Sequence, residues 1–197
     1  MIEAELKACV HAPEAVTQEL EKLATARVEV YQDTYFDSPN RCLDKQDQEL
    51  RLRTVHGTDG VRTLLTFKDA TVDETSGAKP EHETLVADAE AAHAIVKGLG
   101  YAPVITFEKR CRNYRFEAAG RAMLATLVRV PEVDGTYIEV ETLVAEDDVQ
   151  AALADVRAVL QSLGIGQDDL TRELYTDAVI ARRGERTESL DHPARRS

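Results

Sequence analysis

Residues 2–10 read Ile2-Glu3-Ala4-Glu5-Leu6-Lys7-Ala8-Cys9-Val10. Apolar and polar positions alternate without a break. Ile2, Ala4, Leu6, Ala8 and Val10 fall on one face, and Glu3, Glu5, Lys7 and Cys9 on the other. A period of two is the mark of a strand with one face buried. The same alternation returns in Leu50-Arg51-Leu52-Arg53 and in Tyr137–Val144, where Glu139 and Glu141 share a face. The pentapeptide Glu83-Thr84-Leu85-Val86-Ala87 recurs as Glu141-Thr142-Leu143-Val144-Ala145, each copy with a further Glu two residues earlier (Glu81, Glu139). The repeat is too isolated for a solenoid and reads as related units of one sheet system.

Further strands are expected over Val28–Phe36, Arg62–Lys68, Glu81–Val86, Val104–Glu117 and Ala122–Val128. Gly57-Thr58-Asp59-Gly60 reads as a hairpin turn, and residues 69–80 as a loop. Amphipathic spacing predicts helices over Pro13–Leu23, Asp88–Leu99, Asp147–Leu163 and Asp169–Arg183, the last with Asp168 as N-cap. Residues 1–183 read as a single domain, and the charged stretch 184–197 as a disordered tail.

The chain has 197 residues and a net charge of −12, from 24 Lys+Arg against 36 Asp+Glu. So acidic a chain lacks the basic footprint that nucleic acid or an anionic membrane requires. No apolar run reaches the roughly 18–20 residues of a membrane span. No signal peptide is expected from Met1-Ile2-Glu3-Ala4-Glu5. Three scattered cysteines (Cys9, Cys42, Cys111) fit a reducing, cytoplasmic setting. CxxC, HExxH and Walker-type motifs are absent, and the five histidines show no ligand spacing.

The charged faces admit two readings. In an ordinary half-buried sheet they meet water. In a closed barrel with helices outside they line the bore. The bore would then hold acids (Glu3, Glu5, Glu81, Glu83, Glu139, Glu141) and bases (Lys7, Arg51, Arg53, Lys68, Lys109). Buried charge must be paired or hydrated, which makes sense around a polyanion and metal ions. Arg and Lys clamp phosphate oxygens, and carboxylates supply hard oxygen ligands to Mg²⁺ or Mn²⁺.

Glu3-x-Glu5-x-Lys7 resembles the ExExK signature of the CYTH superfamily, the triphosphate tunnel metalloenzymes. Tyr35-Phe36-Asp37, Leu50-Arg51-Leu52-Arg53 and Thr66-Phe67-Lys68 resemble its next segments. Lys79-Pro80-Glu81-His82-Glu83 is similar to its R-x-E-x-E strand with Lys for Arg. Lys109 with Tyr114, then Gly135–Glu141, then Arg172-Glu173-Leu174-Tyr175 resemble the remainder. The resemblance covers about residues 1–180 and is nearest to the class IV adenylate cyclase branch.

It implies an α+β fold, an eight-stranded antiparallel β-barrel (a tunnel) with helices packed on the outside. It implies phosphate binding by Lys7, Arg51, Arg53, Lys68 and Lys109, and Mg²⁺ or Mn²⁺ binding by Glu3, Glu5, Glu139 and Glu141. Glu5, Lys7, Arg53 and Lys109 are the expected catalytic set. Glu81 and Glu83 either orient the bases or contact metal, and Glu141 could equally partner an Arg.

Two positions depart from the family pattern. Its second basic residue on the Lys109 strand falls on Cys111, flanked by Arg110 and Arg112, which the period of two turns outward. Its Asp on the following strand falls on Val128, or on Ala125 if the loop is longer. The implied activity is conversion of ATP to cAMP and pyrophosphate. The alternatives are hydrolysis of an organic or inorganic triphosphate, or binding of a nucleotide or polyphosphate without turnover. The expected partner is the triphosphate ligand. A homodimer is compatible with the sequence, though no apolar strip argues for one.

Overall fold

In the computed structural model, which describes residues 2–72 and 78–191 (side chains through Arg186), the alternating segments close on themselves. The eight strands are β1 (Ile2–Cys9), β2 (Arg27–Asp37), β3 (Glu49–Gly57), β4 (Gly60–Lys68), β5 (Lys79–Val86), β6 (Ala102–Ala118), β7 (Arg121–Arg129) and β8 (Tyr137–Val144). They form a closed antiparallel barrel in the order β1-β5-β4-β3-β2-β6-β7-β8. The order makes β8, β1 and β5 neighbours, so the three strands that carry Glu-x-Glu pairs stand side by side. Glu5 lies opposite Glu141 and Lys7 opposite Glu139, while Glu3 lies opposite Lys79.

Five helices accompany the barrel: α1 (Pro13–Leu23), α2 (Cys42–Lys45), α3 (Ala89–Gly98), α4 (Val149–Ser162) and α5 (Tyr175–Asp191). α4 buries Val149, Leu153, Val156 and Leu160 in one cluster with Ala4, Leu6 and Ala8 of β1 and Ile138 and Val140 of β8. Those strand residues are the apolar half of the alternation. Burying each large side chain stabilises by roughly 1.5–3 kcal/mol, so the apolar face is held outward under helices and the charged face is left inside. α3, N-capped by the Asp88 carboxylate accepting from Ala91 N at 3.0 Å, covers Leu52 and Phe36 through Ala92 and Val96. Pro13 opens α1, where its missing N–H costs nothing.

Three local expectations change. Lys79 and Pro80, expected in a loop, belong to β5. The four-residue α2 carries too little periodicity to be read from sequence. The last helix begins at Tyr175, not Asp169, and continues to Asp191. Gln167–Asp169 is a 3-10 turn whose Asp169 carboxylate accepts from Gly166 N at 2.7 Å, so Asp168 does not cap a helix there. The segment that follows is tied to β1 instead, through the Ala8–Leu170 bridge and Thr171 N donating to Lys7 O at 2.9 Å. Residues 192–197 of the expected tail lie outside the described residues. Among the described residues, no helix is long and apolar enough to cross a membrane.

Candidate active site

The bore holds a cavity of about 1080 Å³. Among the described residues its wall carries eight basic side chains (Lys7, Arg51, Arg53, Lys68, Lys79, Lys109, Arg157, Arg172) and six acidic ones (Glu3, Glu5, Asp47, Glu49, Glu139, Glu141). A chain with an excess of acid overall thus gathers many bases around this cavity, as an anionic ligand requires.

Nearly all the site residues expected from sequence meet here. Glu3, Glu5 and Glu141 each offer a carboxylate oxygen, and these oxygens lie within 4.8 Å of one another. Lys68 Nζ contacts Glu3 and stands 3.1 Å from Glu81. Glu81 thus pairs with Lys68 and is not among the residues lining the cavity. Glu83 is exposed and accepts from Thr66 Oγ1 at 2.8 Å; that hydroxyl in turn lies 3.4 Å from Arg51 Nη2. Glu139 lines the cavity but stands outside the three-carboxylate cluster. Lys7 and Lys109 place their Nζ atoms 4.4 and 4.2 Å from the centre of the Tyr175 ring. Tyr175 is thus a wall of the site shared by two ammonium groups.

The carboxylates are crowded, and their proton affinities show it. Burial, then the charges of Glu139 and Glu3, push Glu5 up to about 8. Burial, then Glu3 and Glu5, raise Glu141 well above the carboxylate range. Burial also acts to raise Glu3, but the Lys68 ammonium outweighs it and holds Glu3 low. The donor set fits a divalent cation: three hard oxygen donors converge in a buried place where burial and mutual repulsion raise the proton affinity of Glu5 and Glu141. Metal–oxygen distances of about 2.0–2.6 Å can span such a cluster. Burial lowers the Lys7 ammonium, offset in part by Glu139 and Glu5.

Asp33 was not expected in the site. It is the cross-strand partner of Arg53 and is fully buried. It accepts from Arg53 Nε and Nη2 at 2.7 Å each and lies 3.9 Å from Lys109 Nζ. Burial alone would raise its carboxyl, yet Arg53 beside it, with Arg51 and Lys109 nearby, holds it far below the ordinary value. Its one sign in the sequence is a face shared with Tyr31 and Tyr35 on β2; the basic side of β3 meets it only once the two strands pair.

Beyond the Arg53–Lys109 layer the bore is filled. Glu29, 2% exposed, accepts from Arg62 Nη1 at 2.8 Å and Asn113 Nδ2 at 2.8 Å, and pairs with Arg27 Nε at 3.0 Å. Thr126 Oγ1 donates to Asn113 Oδ1 at 2.9 Å. The two departures from the family pattern lie in this region. Cys111 and Val128 are direct cross-strand partners, 1% and 0% exposed, and pack with Phe107 and Tyr137. Burial pushes the Cys111 thiol up to about 12, so it is a neutral wall and not a nucleophile. Ala125 is buried in the cluster under α4. Arg110 and Arg112 point outward as expected. Arg110 Nε donates to Glu108, and Arg112 donates to Tyr114 Oη and to Glu21 on α1. Neither replaces a base at Cys111.

The family model of the CYTH domain matches residues 1–175. The chain belongs to the CYTH family. It is 25% identical over 180 residues to a Methanocaldococcus jannaschii protein named "Putative adenylate cyclase MJ0240", covering 90% of this chain and 98% of that one. The PH1819 protein of Pyrococcus horikoshii OT3 has the same fold, with a TM-score of 0.77, 24% identity, and coverage of 92% and 99% of the two chains. A Vibrio parahaemolyticus protein bearing the same provisional cyclase name superposes with a TM-score of 0.78 at 18% identity, covering 91% of this chain and 98% of that one. HpAC1 from Hippeastrum, described as having a dominant triphosphatase activity, superposes with a TM-score of 0.62 at 15% identity, covering 91% and 95%. These CYTH relatives thus carry both cyclase names and a triphosphatase description.

Proposed function

We propose that the barrel binds a nucleoside triphosphate together with Mg²⁺ or Mn²⁺ and cyclises it, ATP giving cAMP and pyrophosphate. The observation that carries this reading is one cavity in which a three-carboxylate cluster stands beside Arg51, Arg53, Lys68 and Lys109. Its volume matches pockets that enclose a whole organic ligand of drug size, so a nucleoside has room beside its phosphates.

In this reading Arg51, Lys68, Lys109 and Arg53 bind the phosphate oxygens and hold the chain in line for attack on the α-phosphorus. They also neutralise the charge that builds on pyrophosphate as it leaves. Glu3, Glu5 and Glu141 are the residues that would hold the cation, with Glu139 beside them. When bound, the cation supplies Lewis acidity at phosphoryl oxygen and acidifies the attacking hydroxyl. Glu81 and Glu83 keep Lys68 and Arg51 in place.

A second reading is hydrolysis, with water attacking a terminal phosphorus. One observation favours it: Cys111 and Val128 remove a base and an acid from the family pattern, and water needs no seat for a ribose. Incubation with ATP and Mn²⁺ or Mg²⁺, resolved by chromatography, separates these outcomes. Cyclisation yields cAMP and pyrophosphate in equal amounts. Orthophosphate without cAMP replaces the first reading by the second. No product, with the protein still thermally stabilised by ATP, leaves binding alone.

A further inference from the structure

We infer that Arg157, on the helix outside the barrel, is a further anion-binding residue of this cavity and holds a phosphoryl group at its outer part. The inference rests on the triphosphate reading above and adds a residue from a different structural layer. α4 carries one base, Arg157, and one acid, Asp155. Asp155 is already committed: its Oδ2 accepts from Arg121 Nε at 2.7 Å, and Arg121 also holds Asp148 at 2.6 Å. Arg157 therefore has no partner on its own helix, and among the described residues it forms no ion pair.

Its Nε is shut off from solvent and has no hydrogen-bond partner among the described residues. A buried guanidinium nitrogen in that state marks a place where an acceptor is missing. Arg157 lines the same cavity as the Glu3–Glu5–Glu141 cluster. A second guanidinium on that wall, Arg51 on β3, has its Nε in the same condition. Lys79, the neighbouring base of the outer wall, is by contrast taken up by Asp47 at 2.8 Å.

Two arginines from different layers thus line one cavity with unmet N–H donors, and an oxyanion entering that cavity supplies the acceptor. The planar fork of guanidinium suits phosphoryl oxygens in particular. The helix itself is seated by Val149, Leu153, Val156 and Leu160, which a substitution at Arg157 leaves in place.

The test is calorimetric titration of inorganic tripolyphosphate into the full chain, with Mg²⁺ and separately with chelator, for the wild type, Arg157→Gln and Arg157→Lys. The expected result is Kd raised about tenfold or more in Arg157→Gln and less in Arg157→Lys, with the unliganded melting temperature unchanged in both. If the wild type binds and Arg157→Gln binds within about twofold of it, Arg157 is not a ligand-binding residue and the triphosphate reading stands. If the wild type binds in neither condition, both fall.

Discussion

Replacing Glu5 by Ala is expected to reduce turnover on the order of 10³-fold, the scale lost when one charge-stabilising group is removed from a preorganised site. Glu5 lies beside Glu3 and Glu141, and burial together with the charges of Glu139 and Glu3 raises its proton affinity. Removing it takes one of three converging donors from the cation. It also relieves the repulsion, so the variant should fold at least as well as the wild type. The loss should therefore appear in kcat, with the melting temperature held or raised. Glu83→Ala is the matched control. It sits in the same sequence pattern but is exposed and touches the site only through Thr66, so its activity should fall less than about tenfold. Steady-state kinetics with calorimetry on both variants makes the comparison. Equal losses at the two positions would show that position in the bore is not what matters.

Asp33→Ala is expected to destabilise the fold by about 3–5 kcal/mol, the cost of leaving a buried charge without its partner. Arg53 is 14% exposed in its side chain and loses both of its 2.7 Å bonds. The sign of the pH dependence follows from the depressed carboxyl. Its contribution is fully present above the ordinary Asp value of about 3.9 and is lost only as pH falls through the lower folded value. The wild type should accordingly keep its advantage over Asp33→Ala throughout the neutral range and give it up only in strong acid. Urea denaturation at neutral and acid pH measures both quantities. A shift worth less than about 1 kcal/mol at neutral pH, the scale of a solvent-exposed pair, would mean that Asp33 does not hold Arg53.

Strands such as Ile2–Cys9 and Tyr137–Val144 were legible from their period of two and the helices from a period near 3.6, while the closed barrel was expected from the motif resemblance. β1 shows both the strength and the limit of that signal: its alternation separates an apolar face from a charged one, but only closure of the sheet decides that the charged face meets the bore and not solvent. The Glu-x-Glu pairs were visible one strand at a time. Their convergence is a product of topology, since β5 and β8 lie on either side of β1 although the N-terminus is far from both in sequence.

What escaped the sequence falls into two kinds. Asp33 was hidden because a lone Asp in an aromatic strand has no local meaning until β2 pairs with β3 and sets it against Arg53. Arg157 was hidden because a single base on an apolar helix looks like a solvated residue. Only the packing of α4 on β1 and β8, with the chain after it tied back to β1 at Ala8 and Lys7, brings that helix to the cavity wall. The same tie explains the late start of α5. Thr171 spends its N–H on β1, and Lys7 Nζ donates to Glu173 O, so the backbone there is held out of a helix.

The central claim is that the bore grips phosphates with its bases and a divalent cation with its acids. A crystal structure with Mn²⁺ and inorganic tripolyphosphate, phased to show manganese by its anomalous signal, tests it most directly. The account predicts a manganese peak within coordination distance of Glu3, Glu5 and Glu141 and phosphate density against Arg51, Arg53, Lys68 and Lys109. Manganese and tripolyphosphate bound only on the outer surface, with the bore left to water, would contradict it.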